Sequence, residues 1–237
     1  MNFKIVRDEF FPGAIAEQDF IARTHAALVQ LGFARDNTIA CACVCRDEIA
    51  QPLVARIHGA WGEAFNLASL GGMFFAGATA LRAAIHHAPN PGGRERYIFY
   101  ALAHIAISDQ GKPGVCQRAG RTGGSIACGA LDAFQKELAS GTFSLMLDKQ
   151  DVEYSLIKER LARETLFGQH IDLIELTKLA QKASQRDLEN AVQAVVNPAH
   201  SDYAIATGIQ IHGPSDNYVW RADFYAVING IKRDLGG

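Results

Sequence analysis

Thr38-Ile-Ala-Cys-Ala-Cys-Val-Cys45-Arg46-Asp47-Glu48 is a short run of β-branched and small apolar residues that gives way at once to charge. That pattern predicts a strand buried on both faces, from Thr38 to Cys45, ending at the rim of a sheet. Tyr97-Ile-Phe-Tyr-Ala-Leu-Ala-His104-Ile-Ala-Ile-Ser108 repeats it and predicts a second strand from Tyr97 to Ile107. Between the two, Ile49 to Ala60 has helical spacing with an early Pro52, which a first turn tolerates. Phe65 to Phe75 is apolar, is broken by Gly71-Gly72, and is expected to hold another strand. Gly77 to His87 reads as a helix that stops at the turn signal Pro89-Asn-Pro-Gly-Gly93.

The flanking segments continue the alternation. Ala16 to Leu31 predicts a helix with Phe20, Thr24, Ala27 and Leu28 on one side and Gly32 as its stop. Gln110 to Gly124 is a loop rich in Gly and Arg, after which Ser125 opens an amphipathic helix through Leu138. Asp151 to Val196 is charged and periodic and reads as helices, with Leu156, Leu161, Leu173, Leu176, Leu179 and Leu188 as core candidates. Tyr203 to Ile211 and Tyr218 to Tyr225 close the chain as strands. The expectation is one α/β domain over residues 1–237, with a mainly parallel central sheet flanked by helices. In open sheets of that kind, ligands sit beyond the carboxyl ends of the strands.

Composition excludes several classes. Apolar residues make up 49% of the 237, charged residues 20%, and the net charge is −2, which gives no electrostatic case for nucleic acid or an anionic membrane as partner. No apolar run approaches the roughly 18 residues of a membrane helix. The start Met-Asn-Phe-Lys-Ile-Val-Arg-Asp-Glu-Phe lacks a signal-peptide pattern, so a cytoplasmic location is expected. The cysteines number five and crowd between Cys41 and Cys128. An odd, clustered set fits reduced thiols in a reducing compartment, serving a metal, catalysis or simple packing, better than a disulfide framework.

The chemistry-bearing residues gather at the expected strand ends. Cys45 closes the first strand, His104 lies near the end of the second, and Cys128 opens a helix in Ser125-Ile-Ala-Cys128-Gly129. Two thiolates and an imidazole are the donor set of an open zinc site, whose fourth position is left for water. Asp47, two residues from Cys45, is placed to orient that water or to serve as an ordinary helix-start carboxylate. Cys41 and Cys43 share the face of Cys45 on an ideal strand, but neighbours there stand about 6.6 Å apart. Zinc–sulfur bonds of about 2.3 Å cannot span that, so Cys45 is the expected ligand and the other two are core. His104 in an apolar run also suits a hydrogen-bonded core residue, and Cys128 at a helix start suits a ligand or a nucleophile. Arg46 and Arg56 are candidate partners for Asp47, while Arg118 and Arg121 lie on a loop suited to a small anion or to plain solvation. His86 and His87, at a helix end, are candidates for proton transfer or for a polar helix terminus.

Six blocks recur in order: Cys45-Arg-Asp-Glu48, Gly71-Gly-Met-Phe-Phe-Ala-Gly77, Ala84-Ile-His-His-Ala-Pro89, His104-Ile-Ala-Ile-Ser108, Ser125-Ile-Ala-Cys-Gly129 and Thr207-Gly-Ile-Gln-Ile-His212. From about Ile39 to Trp220 the chain thereby resembles the limiting-CO2-inducible protein B family, whose active members are theta-class carbonic anhydrases. The resemblance implies a fold similar to beta-class carbonic anhydrases, a homodimer, and one zinc ion per chain on Cys45, His104 and Cys128. It implies reversible hydration of carbon dioxide to bicarbonate through zinc-bound hydroxide, with Asp47 as the orienting carboxylate. Where the beta class carries an Arg two residues beyond that Asp, this chain has Ile49, and Arg46 is the first choice to hold Asp47. Met73, Phe74 and Phe75 are then candidates for the apolar wall that receives carbon dioxide, with His86 or His87 as the proton route. The same residues leave room for a zinc-stabilised subunit without turnover, or for a thiol enzyme with Cys128 or Cys45 as nucleophile and His104 as base.

Overall fold

The computed structural model describes residues 1–165 and 170–236, so 166–169, within the predicted helical stretch, lie outside the described residues. In chain order the elements are α1 (Phe3–Phe10), β1 (Ile15–Ala16), α2 (Glu17–Val29), β2 (Thr38–Cys43), α3 (Gln51–Trp61), β3 (Ala64–Asn66), α4 (Gly77–His86), β4 (Glu95–Ala106), β5 (Val115–Cys116), β6 (Ser125–Ile126), α5 (Gly129–Ser140), α6 (Val152–Ala162), α7 (Leu173–Val195), β7 (Ser201–His212), β8 (Asn217–Ile228) and β9 (Ile231–Asp234). The main sheet runs β1-β8-β7-β4-β2-β3, with β9 on β8. β3, β2, β4 and β7 are mutually parallel, and β8 turns back antiparallel on β7. This is the single α/β domain with a mostly parallel centre that the alternation of strands and helices predicts.

Burial explains the composition of the central strands. Every residue of β2 is buried, as is β4 from Tyr97 to Ala106, because helices cover both faces of the sheet. On one face the Tyr100 hydroxyl meets Thr24 Oγ1 of α2 at 3.1 Å and accepts from Trp61 Nε1 of α3 at 2.9 Å. On the other, Leu188 and Val192 of α7 pack with Cys41, Cys43, Phe99 and Leu81 of α4. Among the described helices, none is long and apolar enough to cross a membrane.

Three local expectations change. The apolar stretch Phe65 to Phe75 carries strand only at Ala64–Asn66. Beyond it Ser69 still donates its N–H to the Val44 carbonyl at 3.1 Å, but a tight turn at Leu70–Gly72 then ends the extension. Gly71 and Gly72 have φ of 70° and 68°, and a Cβ on Gly72 would stand 2.2 Å from the Leu102 carbonyl oxygen. Only glycine lets this turn press against β4. Ser125 belongs to β6, paired with β5, and the helix starts at Gly129 with Cys128 as its N-cap residue. In α6 the core position is taken by Ile157 rather than Leu156, which is half-buried. The strand β9, all exposed and mostly charged, carries no apolar period to reveal it.

Gly72→Ala combines positive φ with a backbone collision and is expected to lower the unfolding free energy by about 3 kcal/mol in urea titration. Gly92→Ala also has positive φ, 76°, but meets nothing within 4 Å, so a loss of about 1 kcal/mol is expected.

Candidate metal centre

The parallel strands end at different heights. The β2 ladder stops at the pair Cys43–Ala101, whereas β4 stays paired with β7 as far as Ala106. His104 therefore stands on β4 above the end of β2, where the chain turns through Val44 and Cys45. A backbone bridge between Cys45 and Ser69 fixes that turn. Cys128 arrives from the other side as the N-cap residue of α5. The Sγ atoms of Cys45 and Cys128 and a ring nitrogen of His104 lie within 4.8 Å of one another. All three residues are at most 3% exposed.

This donor set fits a metal ion. Tetrahedral zinc with sulfur bonds near 2.3 Å holds two sulfurs about 3.8 Å apart, which falls inside the 4.8 Å that bounds the three ligand atoms. His104 Nε2 is buried and has no hydrogen-bond partner among the described residues. Its other nitrogen, Nδ1, lies 3.1 Å from His212 Nε2, and His212 Nδ1 lies 3.1 Å from Asn217 Oδ1. A histidine with one nitrogen anchored and the other bare is arranged as a ligand.

Charge is placed to suit thiolates. The Cys128 thiol beside it pulls the Cys45 thiol down to about 4, against burial, with further help from His104 and the Asp47 amide. That amide lies 3.5 Å from Cys45 Sγ. Cys128 is correspondingly raised by its proximity to Cys45 and by burial, while the first-turn amides of Ala130 and Leu131 favour its thiolate. In the metal-free pair one proton is thus shared by two sulfurs, and a cation displaces it. Cys41 and Cys43 lie deeper, in the apolar cluster, and burial pushes the Cys43 thiol up to about 12 and Cys41 higher still. Burial also lowers His212 to about 3, so it stays neutral.

Asp47 is held by Arg118. The guanidinium donates to both carboxylate oxygens at 2.9 Å, to Ser125 Oγ at 2.8 Å, to the Ile126 carbonyl at 3.1 Å, and to Glu48. Burial works against the Asp47 anion, but the Arg118 hydrogen bonds and charge, His104 and the Ile49 amide together outweigh it and keep the carboxyl below its ordinary range. Arg46, the partner expected from sequence, turns away: it binds Glu153 at 2.6 Å and the Ala68 carbonyl at 3.2 Å. Glu153 is fixed there by the Leu70 amide at 2.9 Å, so a neighbouring position in sequence gives Arg46 no path to Asp47. Arg56 instead pairs with the buried Glu17 at 3.0 Å. Asp47, Glu48, Arg118, Arg121, Ser125 and Ile126 line a surface cleft of ≈ 380 Å³ at the edge of the thiol cluster.

The remaining candidates divide. Met73 packs in the cluster that contains Cys45, Cys128 and Leu131, and half-buried Phe75 rests against it. Phe74 faces the other cluster, with Cys43 and Leu188, so the three residues do not form one wall. His86 and His87 are exposed at the carboxyl end of α4. His87 lines a cavity with Thr38, Arg35 and Glu63, at the opposite end of β2 from Cys45. His212 and Asn217 complete the site without any role assigned from sequence; an imidazole ending the block Thr207 to His212 was their signal.

The family model of limiting CO2-inducible proteins B/C beta carbonic anhydrases matches residues 14–228. The crystal structure of limiting CO2-inducible protein LCIB is similar at 35% sequence identity with a TM-score of 0.80, covering 96% of this chain and 96% of that one. The crystal structure of PtLCIB4, a homolog of LCIB, has a TM-score of 0.86 at 22% identity over 99% of this chain and 100% of that one, a likeness of fold. No curated protein matches.

Urea titration of metal-free variants separates the two arginines. Arg118→Met removes a bidentate pair whose side chains are 16% and 12% exposed, and a loss of about 2 kcal/mol is expected. Arg46→Met removes a pair whose arginine is 60% exposed, and less than about 1 kcal/mol should follow.

Proposed function

The chain belongs to the family of limiting CO2-inducible proteins B/C beta carbonic anhydrases, and from that membership we propose that it interconverts carbon dioxide and bicarbonate with zinc held by Cys45, His104 and Cys128. The observation that carries the reading is the convergence of those three ligand atoms within 4.8 Å beside a carboxylate whose two oxygens are committed to Arg118. Among the described residues no fourth His, Cys, Asp or Glu joins the group, as a catalytic centre with an open position requires. Zinc would supply the Lewis acidity that makes water a nucleophile near neutral pH.

The residues of the chain do the rest. Two thiolates balance a divalent cation, and His104 adds a neutral nitrogen. Asp47 is ionised and can only accept hydrogen bonds. A nucleophile that turns its O–H toward Asp47 therefore presents a lone pair to the substrate carbon. Arg118 keeps Asp47 in that orientation and prevents it from swinging onto the metal. Carbon dioxide is apolar, and Met73 and Leu131, in the buried cluster that holds Cys45 and Cys128, give it an apolar surface. Bicarbonate, an anion, leaves by the cleft where Arg121 stands, and the proton follows through its water.

Stopped-flow hydration of carbon dioxide by zinc-loaded protein tests this. The protein should turn over, Cys45→Ser should lose zinc and rate together, and Asp47→Asn should keep zinc while slowing about 100-fold or more. Stoichiometric zinc with no rate above buffer would contradict an enzyme and leave a metal-stabilised binding subunit.

A further inference from the structure

The two histidines His104 and His212 touch through their ring nitrogens in a buried space, at 1% and 4% exposure, with rings 5.3 Å apart and nearly perpendicular at 81°. The direction of this hydrogen bond follows from its far end. Asn217 Oδ1 can only accept, so His212 Nδ1 carries a hydrogen and donates it across 3.1 Å. A neutral imidazole has one donor and one acceptor nitrogen, which leaves His212 Nε2 as the acceptor. The proton between the rings then belongs to His104 Nδ1, and His104 Nε2 is a bare lone pair. That is the nitrogen with no partner among the described residues.

The fold builds this chain of bonds into a hairpin. His212 and Asn217 are the last register pair of β7 and β8. The turn between them is closed by the Gly213 amide donating to the Asp216 carbonyl at 3.0 Å. β7 in turn stays in register with β4, His104 beside Gln210 and Ala106 beside His212, which puts both imidazoles on one side of the sheet. The hairpin tip is seated on α1, where Phe3 packs on Tyr218 with ring centroids 5.6 Å apart. The backbone of Asn217 is thereby fixed by pairing, and its Oδ1, turned toward His212, sets the tautomer of His104 through that ring.

We propose that His212 and Asn217 are positioning residues for the metal: they hold His104 in the one tautomer and ring orientation whose Nε2 can join Cys45 and Cys128 on a cation. The inference rests on the metal reading of the cluster and extends it to a hairpin that contributes no ligand. Anchors of this kind typically change metal affinity by 10- to 100-fold (an order-of-magnitude range).

The test is zinc affinity of the full chain by competition with a chromophoric chelator, with cobalt(II) absorption as a second readout. Wild-type protein should bind zinc and Cys45→Ser should not; equal binding by both would remove the metal reading itself. With that reading intact, His212→Phe, which keeps a ring and loses the acceptor, should weaken zinc by about 10- to 100-fold and alter the cobalt spectrum. His212→Gln, whose Oε1 can accept the Nδ1 hydrogen, should recover most of the loss. Wild-type affinity in His212→Phe overturns the proposal, and so does a His212→Gln as weak as His212→Phe. A purely structural role would lower the unfolding midpoint of the metal-free protein and leave the zinc constant of the folded fraction unchanged. Should His212→Phe fail to fold, Asn217→Leu carries the test: weaker zinc with a shifted cobalt spectrum supports the pair, and unchanged values overturn it.

Discussion

The staggered ending of two adjacent parallel strands is the constraint on which the site depends. β2 stops pairing at Cys43 while β4 continues to Ala106. The step between them is where a cysteine leaving one strand meets a histidine still on the other. His104 stands on buried, fully paired backbone, and Cys45, just past the β2 ladder, is tied by its bridge to Ser69, so paired backbone positions both groups. The third group, Cys128, is the N-cap residue of α5, where first-turn amides favour its anion. Gly72 belongs to the same device, since its missing side chain lets the turn after Ser69 lie against Leu102 and carry the bridge to Cys45.

Charge is the second organising demand. Two sulfurs, a carboxylate and two imidazoles stand together in or next to an apolar core, a grouping that is unfavourable unless each is answered. Arg118 answers Asp47 and at the same time ties the β6 edge to the segment after Cys45. His212 is answered by Asn217 and His104 Nδ1 by His212. What is left over, the bare His104 nitrogen and two sulfurs sharing a proton, is the demand that a cation satisfies. The family to which the chain belongs and the composition of that leftover set agree on the class of chemistry.

Much of this was legible from residues alone, and the failures have physical causes. Strong apolar runs marked β2 and β4, and charge after Cys45 marked the rim, so the level of the site could be read. Helix periods placed α2 and α4 to within two residues and marked Asp151 to Val196 as helical without showing where α6 ends and α7 begins. Arg118 was not legible as the partner of Asp47, because a long loop folds back to bring it there; sequence offered the adjacent Arg46, whose side chain is captured by Glu153. The direction of α4 was not legible either, since a helix returning from the carboxyl rim ends at the other one, which is where His86 and His87 stand. The stretch from Phe65 to Phe75 looked like strand by hydropathy, yet two glycines at positive φ broke it. His212 carried no local signal beyond being polar in an apolar strand, and its role depends on a neighbour across a hairpin.

X-ray absorption at the zinc edge of the loaded protein tests the central claim directly. Convergence of Cys45, Cys128 and His104 on one ion predicts two sulfur neighbours at about 2.3 Å and two nitrogen or oxygen neighbours at about 2.0–2.1 Å. A shell of nitrogen and oxygen alone, or of four sulfurs, would contradict it, because neither can be built from the donors that meet above the end of β2.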